Sequence, residues 1–208
     1  MSGGDAGRVT ALFSRSSGGY RFARWGRPLA PALFGFSEIE KPRYAAALAE
    51  AARACGLAVV EADPELGRNC LVFMCGAWGE LPRIPGLDRL VPDLEKLVSV
   101  LKATGANQYR IFGFDEAGAI RICITLLRGD ADLRAAPFPL LALSQAAQSM
   151  ALWSDTAFQA ESPVVATGAG AALDPWFESL LGAAYAQDMP PASDDPAHAR
   201  ALAARLCA

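Results

Sequence analysis

The stretch Cys70–Cys75, CLVFMC, has no polar side chain, and turn residues bound it: Pro64 and Gly67 before it, the proline- and glycine-rich residues 79–86 after it. Six residues are too few for an ordinary helix, so the run predicts a buried central strand. The neighbouring segments supply the rest of a sheet. Residues 57–61 read as a short strand. Residues 109–114 and 119–127 alternate as a hairpin around the turn DEAG at 115–118. Residues 20–36 suit an edge strand or a bulge, because Pro28 and Pro31 cannot donate to a ladder.

Helices are predicted between these strands. Residues 41–55 start with Pro42 in the first turn and stop at Gly56. Val91, Leu94, Leu97, Val98 and Leu101 recur at helical spacing over residues 88–104. Pro137 and Pro139 introduce a helix over residues 140–153, with Leu140, Leu143, Ala147 and Met150 expected on the sheet. Further helices are expected at 174–185 and 196–207, with 166–172 as loop. The fold expected is α/β or α+β: a mixed sheet of four or five strands, helices on one side and a helical C-terminal part. Residues 20–208 form a single domain, and residues 1–19, with SGGDAG and SRSSGG around a short apolar run, a flexible arm.

Composition narrows the classes of function. A 208-residue chain with 52% hydrophobic and 20% charged residues can bury a core. The net charge of −3 argues against duplex binding, and no nucleic acid is expected. Arg21, Arg24 and Arg27 beside Trp25 read first as solvated arginines, with an anion or acidic-partner site as the alternative. The five cysteines contain no C-x-x-C and no zinc-ligand spacing, which favours a reducing compartment. No apolar run is long enough for a membrane span, and Val9–Phe13 is too short for a signal peptide, so the cytoplasm is the expected location. A mean hydropathy of +0.21 leaves room for an apolar partner surface.

Motifs for chemistry are sparse. There is no dinucleotide fingerprint, P-loop or nucleophile elbow, and no cofactor or metal is expected. His198, the single histidine, reads as a surface residue near a helix start. Asp115 and Glu116 read as turn residues; Asp130, Asp132, Asp194 and Asp195 read as turn residues or helix caps. Residues 143–155, LSQAAQSMALWSD, are the exception. Ser144, Gln145 and Gln148 have the spacing of the H-E-x-x-H helix of a zinc peptidase, but none is a zinc ligand or a strong base. Ser144 and Gln148 share a helical face. The candidate pocket is Arg128, Asp130, Ser144, Gln145, Gln148 and Asp155; no catalytic residue is assigned.

RFARWGRPLAPALFG, GLAVVEADPELGRNCLVFM, IRICITLL, LSQAAQSMALWSD and LLGAAYAQDMPPA, in this order across roughly residues 20–206, resemble a mostly proteobacterial family of unknown function whose layout is similar to that of zinc peptidases. The resemblance implies a zincin-like domain in which residues 143–148 correspond to the peptidase active helix and Asp155 lies in a polar pocket. This chain departs from the pattern in having no evident signal peptide, and Ser144 and Gln145 where relatives tend to be acidic. The expectation is a non-catalytic interaction protein or accessory subunit on a degenerate metalloprotease-like scaffold, with a protein partner. The alternative is a metal-independent hydrolase or small-molecule-binding protein using Ser144, Gln148 and Asp155.

Overall fold

A computed structural model describes residues 2–168 and 170–206, so Cys207 lies outside the described residues. In chain order the elements are α1 (Ser2–Phe13), β1 (Phe22–Ala23), β2 (Pro31–Phe34), α2 (Glu40–Ala54), β3 (Cys70–Cys75), a 3-10 helix (Trp78–Arg83), α3 (Leu87–Leu90), α4 (Leu94–Ala103), β4 (Gln108–Phe114), β5 (Ile120–Arg128), α5 (Ala131–Ala135), α6 (Phe138–Ser149), β6 (Val164–Thr167), β7 (Gly170–Leu173), α7 (Pro175–Ala184), β8 (Ala192–Ser193) and α8 (Ala197–Leu206).

CLVFMC is the second strand of a mixed four-stranded sheet ordered β2-β3-β5-β4. β2, β3 and β5 run parallel; β4 returns antiparallel to β5 as the outer strand of a hairpin. The β3 alternation sorts the core into two layers. Cys70 and Val72, with Cys123 and Leu127 of β5, face α2 and α6. Leu71, Phe73 and Cys75, with Ile124 and Leu126, face Trp78, Leu81, Val98 and Leu101. Both faces are covered, which corrects the expectation of helices on one side: the apolar stripe of α4 needs a surface of its own, and the odd-numbered β3 residues provide it.

The N-terminal expectation is also corrected. Residues 1–19 were expected to be a flexible arm, yet α1 is a helix whose Val9, Leu12 and Phe13 are fully or almost fully buried, and it lies against α8. Val9, Leu12 and Phe13, three and four residues apart, are enough for one helical stripe. Phe13 stacks on Trp153 and meets Phe22 edge-on, each with ring centroids 5.1 Å apart.

Other boundaries move for local reasons. Residues 88–104 are two helices rather than one, because the residue before Pro92 is pushed out of helical geometry and Val91 is extended; Asp93 follows at φ 54°. Residues 57–61 form no strand, only a bridge from Val59 to Leu29. Residues 79–86, expected as loop, begin within the 3-10 helix. Asp130 caps the short helix α5, accepting from the Leu133 N–H. Within residues 166–172, expected as loop, β6 and β7 pair as a hairpin; Ala169 lies outside the described residues.

The helix expected over residues 140–153 ends at Ser149, after which Ala151 bridges Arg24 and the Leu152 N–H donates to the Ala23 carbonyl. Leu143, Ala147 and Met150 are buried as expected, but so are Leu141, Ala142, Gln145, Ala146, Gln148 and Ser149. From Leu141 onward only Ser144 of α6 is half-buried rather than buried, because the helix sits between α2 and the β6–β7 hairpin. Its alanines meet Ala47, Ala51 and Ala52 of α2, which lets the two helices approach closely.

Candidate functional site

The inner face of β4 carries a charge. Strand alternation places Gln108, Arg110 and Phe112 beneath α6, opposite Leu127, Thr125 and Cys123. A guanidinium there requires acceptors, and α6 supplies them as amides. Arg110 Nη1 donates to Gln148 Oε1 at 2.8 Å, and Nη2 donates to Gln145 Oε1. The amide nitrogens continue the chain: Gln145 Nε2 donates to Gln108 Oε1 at 2.8 Å and Gln148 Nε2 to Ser144 Oγ at 2.9 Å. Arg110 Nε is buried without a hydrogen-bond partner. Among the described residues no carboxylate forms an ion pair with Arg110. Burial lowers the pKa of this guanidinium, while Cys123, Tyr44 and Cys70 raise it. An arginine keeps its proton under such a shift, so the charge stays.

A cavity of about 480 Å³, within the range of ligand pockets, opens beside this network. β4 contributes Gln108, Tyr109, Arg110 and Phe112, and α6 contributes Gln148. The segment after α6 contributes Trp153, Asp155 and Phe158, and the turn after α1 contributes Arg15. Tyr109 belongs to the opposite face of β4 from its neighbours, so the cavity runs along the free edge of the strand. The main chain there is open. The Arg128 N–H donates to the Asn107 carbonyl at 2.8 Å, which by alternation directs residues 107, 109 and 111 toward β5 and turns the N–H and C=O groups of Gln108, Arg110 and Phe112 outward.

The expected site residues are only partly brought together. Gln148 and Asp155 line the cavity; Gln145 and Ser144 join it through hydrogen bonds. Asp155 accepts from the Ser16 backbone N–H at 3.0 Å and from the Ser16 hydroxyl, contacts that hold its pKa below the ordinary carboxylate value. Arg128 and Asp130 pair with each other at 2.7 Å and do not line the cavity. Ser144 has an amide for a neighbour, which cannot take its proton. Among the described residues no group of three or more His, Cys, Asp and Glu side chains is placed to hold a metal ion.

Arg110, Arg15 and Gln108 were missed by sequence reasoning. The available signal was a conflict: alternation puts Arg110 on the same face as Phe112, while helical spacing puts Gln145 and Gln148 near the inner face of the helix. Polar residues on two facing elements satisfy each other. The Arg21, Arg24 and Arg27 cluster forms no common site. Arg21 lies over Phe114, Arg24 donates to the Met189 carbonyl at 3.0 Å, and Arg27 pairs with Glu65 at 2.9 Å.

His198 is not a surface residue. It is 6% exposed, shares a 2.7 Å hydrogen bond with the Tyr20 hydroxyl and rests on Phe22. Burial lowers its pKa below 6.5, as does Arg24, while Asp195 opposes them. The folded state then binds its proton less readily than the unfolded state, so stability is full above the ordinary histidine pKa and falls as pH drops through the folded value. Urea titrations from pH 7 to pH 5 are expected to show a declining midpoint, with the decline reduced in His198→Gln.

The fold and this site define a mixed α/β protein with a polar network under one helix and an open outer strand. Comparison with protein-family models, with curated proteins and with solved structures finds no match. Among the described residues no helix is long and apolar enough to cross a membrane.

Proposed function

We propose that the protein is a non-catalytic interaction protein or accessory subunit, a zincin-like scaffold without zinc ligands, which holds an extended segment of a partner along the outer edge of β4. The supporting observation is that edge: three residues, Gln108, Arg110 and Phe112, turn unpaired main-chain groups toward a cavity of binding-site size. An open edge is a template for an added strand. The free, buried thiols Cys55, Cys70, Cys75 and Cys123 support a reducing compartment, taken here as the cytoplasm. A metal-independent hydrolase centred on Ser144 is the weaker reading, because its hydroxyl lacks a base.

The test uses the full chain, immobilised and exposed to a pool of randomised pentapeptides. A matched pool carries N-methyl groups at alternate positions, which remove the donors that strand pairing needs. Retention of the first pool and at least tenfold weaker retention of the second is expected. Equal retention, or none in either pool, would overturn the edge reading.

A further inference from the structure

We propose that the cavity beside β4 is an anion site, in which Arg110 and Arg15 take a carboxylate carried by the bound segment. This rests on the binding reading above and names the chemistry of what is bound. Three observations lead to it.

The first is the way Arg110 is held. Its terminal nitrogens are occupied by neutral amide oxygens of Gln145 and Gln148, so the guanidinium is fixed in place with its charge uncancelled. A buried cation is ordinarily matched by a carboxylate, because desolvating a lone charge is costly. Elsewhere in this chain arginines are matched in that way: Arg27 and Arg121 to Glu65, Arg128 to Asp130 and Arg8 to Glu161. Arg110 has no such carboxylate, and its acceptors are side-chain amides beside a cavity rather than backbone carbonyls, which hold Arg24. Five donor hydrogens on a planar fork also exceed the two bonds that the amides accept.

The second is Arg15. It is half-buried, lines the same cavity and makes no ion pair among the described residues. Asp155 lines the same cavity, accepts from Ser16 and acts on Arg15 through its charge, without an ion-pair contact. The cavity therefore holds two cationic side chains against one carboxylate and keeps an excess of one positive charge.

The third is the apolar remainder of the lining. Phe112, Trp153 and Phe158 give the cavity aromatic surface beside the charged end. Such a lining fits an acidic residue, or a chain-terminal carboxylate, next to an apolar side chain. A strand added to β4 would carry that carboxylate past Arg110.

The experiment compares pentapeptide pools ending in Asp or Glu with a free C-terminus against the same pools ending in Asn or Gln with a C-terminal amide. Binding is read on the full chain by fluorescence anisotropy at two salt concentrations. About tenfold tighter binding of the acidic pool is expected, as for a charge-assisted pair in a site sheltered from water. The preference should shrink with added salt and fall to about unity in Arg110→Met. Arg15→Gln, at a more accessible position, gives a second variant and should lose part of the preference. Sodium sulfate should compete with the acidic pool alone. Equal binding of both pools overturns the anion site and leaves the interaction reading intact. An unchanged preference in both variants overturns the assignment to these arginines. Binding of neither pool overturns both readings.

Discussion

Phe13→Ala is expected to destabilise the protein by about 3–5 kcal/mol, the usual cost of truncating a fully buried aromatic side chain. The side chain has no exposed surface and stacks on Trp153 with an interplanar angle of 14°. Its removal leaves a hole at the junction of α1, β1 and the segment after α6, where Phe22 and Tyr20 also meet it edge-on. Chemical denaturation measures the loss directly. A loss under about 1 kcal/mol, typical of surface positions, would return residues 1–19 to the status of a loose arm. The same variant should weaken ligand binding, since Trp153 reaches from this stack into the cavity.

Gly35→Ala is expected to cost a similar amount, on the order of 3–5 kcal/mol, from a different cause. Gly35 ends β2 at φ +78°, and a Cβ there would lie 1.9 Å from the Met74 carbonyl oxygen. That oxygen belongs to β3, so the clash must push the edge strand β2 away from its parallel neighbour. Gly56 gives the control. It shares the left-handed conformation at φ +62°, but a Cβ would meet nothing within 4 Å. Gly56→Ala should therefore cost only about 1 kcal/mol, the backbone penalty alone. Thermal unfolding of the two variants side by side separates conformation from crowding; equal losses would refute the steric account.

How far the fold could be read from the residues depended on whether the deciding interaction was local. CLVFMC, the DEAG hairpin and the helices α2 and α7 carry their signals within a few residues, and each forms within a residue or so of where it is expected. α1 was hidden because its stripe is short and its partner, α8, is nearly two hundred residues away. His198 was misjudged for the same reason: DDPAHAR looks solvated until Tyr20 and Phe22 close over it. In the candidate site, the helix residues Gln145 and Gln148 stood out by spacing, while Arg110, which gives them their role, was masked inside an otherwise ordinary hairpin strand. Arg128 and Asp130 attracted attention by proximity in sequence and proved to be a partnered cap.

The pairing of α1 with α8 has a consequence for the order of events during synthesis. α1 is made with its apolar stripe of Val9, Leu12 and Phe13 exposed, and α8, against which it packs, is made after every other described element. Trp153 arrives before Leu202 and Ala203 do. The nascent chain must therefore carry α1 without α8 while the residues between them are made, at about 5–20 residues per second for some ten seconds or more. For that interval the chain is a natural client for whatever shelters hydrophobic segments at the exit tunnel. Closure of the domain waits for α8.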